Sequence, residues 1–249
     1  MPYFTPHPRF VFGGAEKFRS LLNKIRSTIS VNTENSPVFA ADNMILIGKI
    51  CGFLKEERFV NLANKFFKDD ALHSSIVWRV HLLASAINSC KDLEGDFIEF
   101  GCYDAKVAEF LIEYNNIPSL KKSFYLYDIF DNPPTDRGPL HSPELFDNVS
   151  KRMSKYDFVR VIPGLLPGTF EDNIPDKIAF VHLDLNSAKT EISLLKVFFE
   201  KMVPGGIIIL DDYGTMGYEQ QYTEEKIFFA NLGYDVFELP TGGGMVIKR

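Results

Sequence analysis

Two short apolar runs in this chain end in aspartate. IAFVHLD closes on Asp184, and GIIIL is followed at once by Asp211 and Asp212. Two more carry single carboxylates at or near their ends: FIEF contains Glu99 just ahead of Gly101, and FYLYD closes on Asp128. Carboxylates gathered at one place repel each other. In a dry site they call for a cation, a polyol, or both. Hard oxygen ligands suit Mg²⁺ or Ca²⁺ rather than zinc, and no Cys or His cluster competes for the role. Asp184, Asp211 and Asp212 form the sharpest set, a candidate metal site. The competing reading has Asp184 capping the next helix and Asp211-Asp212 in a solvated turn.

Glu99 and Asp128 suit a different task. A carboxylate at the end of a second strand, some way beyond a glycine turn, is placed to accept hydrogen bonds from ribose hydroxyls. The turn itself, Phe100-Gly101-Cys102-Tyr103-Asp104-Ala105, is not GxGxxG. Without the later glycines pyrophosphate cannot sit tightly on the backbone, which argues against NAD and admits a nucleoside without phosphate. The run IPGLLPGTF adds Gly164 and the apolar Leu165 and Leu166 as one wall of an adenine slot, or as a plain loop. His182, two residues before Asp184, reads as a core histidine. His141 lies in a polar loop from which it can reach an active site. Arg79 is a weaker candidate partner for a carboxylate ligand.

The elements that must position these residues fall into two parts. A short helix is expected over Ala15–Ile29 and a linker over Val31–Pro37. Three helices are expected between Ala41 and Cys90, from apolar residues at helical spacing. From Asp96 the pattern alternates. Strands are expected at Phe97–Phe100, Phe124–Asp128, Phe158–Ile162, Ile178–Asp184 and Gly206–Leu210. Helices are expected at Ala105–Tyr114, Pro143–Met153, Thr190–Met202 and Glu219–Asn231, with Pro204-Gly205-Gly206 ending the third of these. Such alternation means a parallel sheet covered on both faces. Only Pro240–Gly243 separates Tyr234–Leu239 from Gly244–Arg249, too short for a parallel crossover, so this last pair should be antiparallel. That ending resembles class I methyltransferases. The expected fold is therefore α/β, a Rossmann-like seven-stranded mostly parallel sheet with an antiparallel C-terminal hairpin. Residues 93–249 form this domain and residues 1–92 a helical extension.

Composition narrows the functions. The net charge is −6, with no basic run, which disfavours nucleic-acid partners. No apolar stretch has the length of a membrane span, and no secretory signal pattern opens the chain. Three widely spaced cysteines fit a reducing cytoplasm rather than a disulfide scaffold.

Several segments resemble the macrocin O-methyltransferase family, S-adenosylmethionine- and Mg²⁺-dependent enzymes that methylate sugar hydroxyls of natural products. They are EGDFIEFGCYDAKVA, YLYDIFDNPP, IPGLLPGTF, IAFVHLDLNSAKT and VPGGIIILDDYG, in the family's order. The resemblance implies that Asp184, Asp211 and Asp212 hold the metal and that Glu99, Gly101 and Asp128 line the S-adenosylmethionine pocket. Two places depart from the family. A second glycine and a serine are usual where this chain has Ala105 and Val107. Asp-Leu-Tyr-Glu is usual where it reads Asn186-Ser187-Ala188.

The reaction expected on this reading is methyl transfer to a hydroxyl of a small-molecule acceptor, a sugar or natural-product glycoside. Asp184 is the first candidate for the residue that takes the proton, and His141 the second. The N-terminal helices are a candidate homo-oligomer interface. Three other readings compete: a metal-independent methyltransferase, a nucleotide-dependent oxidoreductase or sugar-nucleotide enzyme, and an inactive binding protein derived from a methyltransferase.

Overall fold

The computed structural model describes residues 39–42, 44–46, 49–130 and 143–249, with Ser20 and Lys24 besides. His141, the linker Val31–Pro37 and, apart from those two residues, the helix expected over Ala15–Ile29 lie outside the described residues. The chain divides into two units between Leu82 and Leu83.

In the first unit the stretch after Ala41 is not the helix its spacing suggested. Strands β1 (Phe39–Ala41) and β2 (Met44–Leu46) pair antiparallel, with Ala41 opposite Met44. Asp42 takes φ 50, the left-handed conformation that tight hairpin turns require and that Asp tolerates. Its carboxylate is held by Arg79, with Nε to Oδ2 at 2.6 Å and Nη2 to Oδ1 at 3.2 Å, both groups buried. Arg79 thus faces a carboxylate of its own chain, a partner 37 residues away that local spacing could not disclose. Helices α1 (Glu57–Phe67) and α2 (Ala71–Ser75) follow, and Asp70 caps α2 by accepting from the Leu72 and His73 amides. Phe39, Phe53, Phe59, Trp78 and His81 form an aromatic cluster, with the His81 imidazole stacked on Phe53 at 4.5 Å. The division between units falls within α3 (Val77–Cys90).

The second unit is a seven-stranded sheet. Its elements are β3 (Asp96–Phe100), α4 (Lys106–Tyr114), β4 (Phe124–Asp128), α5 (Pro143–Met153), β5 (Val159–Pro163), α6 (Gly168–Glu171), β6 (Ile178–Leu183), α7 (Ala188–Phe198), β7 (Met202–Leu210), α8 (Glu219–Asn231), β8 (Phe237–Glu238) and β9 (Gly244–Ile247). The order is β5-β4-β3-β6-β7-β9-β8. β5, β4, β3, β6 and β7 run parallel, and β9 is antiparallel to both of its neighbours; the short link 239–243 accounts for its pairing with β8. Chain order reverses direction at β3 and β6, so the crevice for a ligand lies beyond their carboxyl ends.

β7 begins earlier than expected. Ile178 pairs with Met202 and Phe180 with Ile207, so two steps on β6 match five on β7. The surplus is bulged out at Val203–Gly206, where Gly205 takes φ 86. Pro204-Gly205-Gly206 is therefore a bulge inside a strand, and helix α7 ends before it, through a 3-10 turn at Phe199–Lys201.

The sheet's period of two sorts its side chains. Phe100, Leu183 and Leu210 join Leu194, Phe198 and Phe229 in one buried core beneath α7 and α8. Phe97 and Phe180 meet edge-on at 6.0 Å. Burying a side chain of this size contributes about 2 kcal/mol.

Candidate active site

Strand register carries Glu99, His182, Asp184 and Asp211 to one place. Glu99 lies opposite His182, and His182 opposite Ile209. Residues two apart on a strand share a face, so Asp184 follows His182 and Asp211 follows Ile209 onto the side that Glu99 occupies. The ladder continues past the strand ends: the Asp184 amide donates to the Phe100 carbonyl at 2.9 Å, and the Asp211 amide to the Leu183 carbonyl at 3.0 Å. One ligand atom from each of His182, Asp184 and Asp211 falls within 4.8 Å of the others.

His182 is central to this group. Its Nδ1 lies 2.9 Å from Glu99 Oε1, and its Nε2 lies 3.5 Å from Asp211 Oδ1. The second contact is longer than a charge-assisted hydrogen bond, and Nε2 has no hydrogen-bond partner among the described residues. Burial opposes a charged imidazolium here, yet the Asp211 and Glu99 carboxylates outweigh it and push the pKa up to about 10. His182 is buried, as the core-histidine reading expects, and its neighbours Glu99 and Asp211 are what that reading did not name. The signal available was its spacing of two from Asp184.

Asp212 is buried and is not one of the three residues whose ligand atoms meet within 4.8 Å; its charge helps to raise the pKa values of Glu191 and Glu225. Glu191 accepts from the Leu185 amide at 3.0 Å and from Gln221 Nε2 at 2.9 Å, tying the segment after Asp184 to α8. Burial first, and then the Glu191 charge, push Glu225 up to about 10, so it is protonated and hydrogen-bonded to Glu191. Folding therefore takes up a proton at Glu225, and stability falls as pH rises from about 4.5 toward about 10. Glu225→Gln keeps a donor and removes that uptake. It is expected to stabilise the chain by about 1–3 kcal/mol at pH 8 and to flatten the pH dependence of Tm across that window.

The glycine turn after β3 is drawn tightly against this group. Gly101 has φ 89, and a Cβ there would sit 1.8 Å from the Asp184 carbonyl oxygen. The Gly101 and Cys102 amides both donate to the Tyr127 carbonyl. Asp128, expected as a ribose acceptor, uses Oδ2 to accept from the Tyr103 amide at 2.7 Å and Oδ1 from Phe130 at 3.0 Å. It thus fixes the turn from the end of β4. Tyr103 and Ala105 have φ 49 and 54, unfavourable for residues with a Cβ. The left-handed backbone at Ala105 is the physical reason a glycine suits that position.

The remaining expected residues are placed as follows. The Phe100 ring is in the core, stacked on Tyr127 and Phe198, so only its backbone faces the crevice. Gly164 is tied to β4, its amide donating to the Asp128 carbonyl at 3.0 Å. Leu165 is 73% exposed. Asn186 Nδ2 approaches Asp184 Oδ1 at 3.5 Å.

Residues 78–230 match the macrocin O-methyltransferase (TylF) family, more than half of the chain. The chain belongs to that family. It is accordingly an S-adenosylmethionine-dependent O-methyltransferase. No curated protein matches the chain. Solved structures agree on the fold. The O-methyltransferase NovP has TM-score 0.60 at 16% identity over 69% of this chain and 80% of that one. CalS11, described as a TDP-rhamnose 3'-O-methyltransferase of calicheamicin biosynthesis, has TM-score 0.59 at 14% identity over 96% of each. The S-adenosylhomocysteine-bound methyltransferase PaMTH1 of Podospora anserina has TM-score 0.56 at 14% identity over 96% of this chain and 99% of that one. No helix among the described residues of this family member is long and apolar enough to cross a membrane.

Proposed function

We propose that this methyltransferase acts on a hydroxyl of a sugar or natural-product glycoside, assisted by a divalent cation, Mg²⁺ being the ion that carboxylates suit. The reading is carried by the meeting of two half-sites: the Gly101 turn lies against the Asp184 backbone, which sets a cofactor loop beside an acidic pair. Two observations support the fit. Glu99 Oε2 is buried without a hydrogen-bond partner among the described residues, a fixed acceptor for the ammonium of the methionine moiety. Asp184 and Asp211 offer hard oxygen donors at adjacent strand ends.

A bare sugar hydroxyl is too weak an acid to attack at neutral pH. A divalent ion, when bound, supplies Lewis-acid activation of such a hydroxyl. The chain's own residues do the rest. Glu99 and the Gly101 turn orient the methyl donor, Asp128 holds that turn rigid, and Asp184 and Asp211 carry the ion. A carboxylate has two oxygens, so Asp184 can ligate and also accept the hydroxyl proton. The family supports a sugar acceptor, as does the shared fold of CalS11. All three cysteines are unpaired and buried, in keeping with a cytoplasmic enzyme.

The test is methyl transfer from labelled S-adenosylmethionine to nucleotide-linked and glycosidic deoxysugars, with Mg²⁺ titrated from zero. Turnover is expected to require the ion and to be lost in EDTA. Full activity in excess EDTA would refute the metal, and transfer only to non-sugar acceptors would refute the acceptor class.

A further inference from the structure

We propose that His182 supplies a nitrogen ligand, through Nε2, to the same ion that Asp184 and Asp211 hold, and that the centre therefore prefers a transition-metal ion that binds nitrogen as well as oxygen, such as Mn²⁺, to Mg²⁺. This rests on the metal reading above and goes beyond it in the ligand set and in the choice of ion.

The first support is placement. The register that puts His182 opposite Glu99 also puts it on the face of Asp184 and diagonal to Asp211. The imidazole is thus held beneath the two carboxylates by the sheet itself. A second support is orientation. Nδ1, 2.9 Å from Glu99 Oε1, has the contact that a metal-bound histidine makes through its other nitrogen to a carboxylate, which fixes the tautomer and aims the ring. That leaves Nε2 as the ligand atom. The third is a missing partner. The His182 side chain is 6% exposed, yet Nε2 has no hydrogen-bond partner among the described residues. A histidine kept only for packing would satisfy both nitrogens in such a place. Two donor atoms that share an ion, each about 2.0–2.2 Å from it, sit about 3 Å apart. Nε2 and Asp211 Oδ1 are 3.5 Å apart, a separation that small adjustments close. A ligand nitrogen must be free of its proton, so an ion and a proton compete for Nε2.

The ligand type sets the choice of ion. Mg²⁺ takes oxygen and keeps several waters, and imidazole adds little to its binding. Mn²⁺, Fe²⁺ and Co²⁺ accept both carboxylate oxygen and imidazole nitrogen. An Asp-Asp-His set in a strand-end crevice is therefore selective where an all-carboxylate set is not.

The experiment uses the full chain stripped of metal. Calorimetry measures Mn²⁺ and Mg²⁺ binding separately, and electron spin-echo envelope modulation of the Mn²⁺-loaded protein reports nitrogen bonded to the ion. Mn²⁺ is expected to bind at least about tenfold tighter than Mg²⁺, with ¹⁴N modulation from a coordinated imidazole. His182→Gln should remove the ¹⁴N signal and the preference for Mn²⁺. Bound Mn²⁺ without ¹⁴N modulation, or modulation that survives in His182→Gln, overturns the inference and leaves the carboxylate-held ion standing. Absence of any divalent binding overturns the metal reading together with it. The wild-type measurements decide the matter even if His182→Gln fails to fold.

Discussion

Gly101→Ala is expected to abolish methyl transfer and cofactor binding together. The new Cβ would lie 1.8 Å from the Asp184 carbonyl oxygen and 2.8 Å from its carbonyl carbon. Both are backbone atoms, so no side-chain rotation relieves the contact. The backbone at φ 89 is also one that a residue with a Cβ rarely adopts. Relief requires the turn to move away from β6, which shifts the Glu99 side of the site relative to the Asp184 side. A misplacement of about 1 Å between reacting groups costs on the order of 10²-fold in rate. Here both half-sites move, and a stability loss of about 3 kcal/mol or more accompanies them. Calorimetric titration with S-adenosylhomocysteine checks the binding, and thermal unfolding checks the fold. Wild-type affinity in a folded Gly101→Ala protein would show that the turn does not hold the cofactor.

Asp211→Ala should separate the two half-sites. Turnover is expected to fall by at least about 10³-fold, the equivalent of about 4 kcal/mol in the transition state. Affinity for S-adenosylhomocysteine should stay within a few-fold of wild type, because Glu99 and the Gly101 turn are untouched. Asp212→Ala should cost much less turnover, since its carboxylate is not among the ligand atoms of His182, Asp184 and Asp211 that meet within 4.8 Å. Steady-state kcat/KM for the three proteins at saturating divalent ion checks the order. Equal losses in Asp211→Ala and Asp212→Ala would place both aspartates on the ion.

The sheet was legible in the sequence because each strand is a short apolar run bounded by turn residues, and the reversal of β9 because four residues cannot make a crossover. Carboxylates at strand ends were legible for the same reason. Three features were not. The β1–β2 hairpin depends on Asp42 meeting Arg79 across 37 residues, and its few apolar positions fit a helix equally well. The start of β7 is hidden by Pro204-Gly205-Gly206, which ends helices in most settings and here is a bulge. The company of His182 depends on register, since nothing local to VHLD says that Glu99 lies opposite.

The place of β9 has a consequence for how the chain acquires its active form. β7, the strand that delivers Asp211, is bordered by β6 on one side and by β9 on the other. Residues Gly244–Ile247 are made after β7, so until they emerge β7 stands as an open edge with unpaired amides and carbonyls along Ile207–Leu210. Closing it pairs Ile207 with Ile247 and Leu210 with Gly244, partners distant in sequence, and long-range pairings form slowly. The strand end that leads into Asp211 is thus secured on its outer side only when β9 joins the sheet.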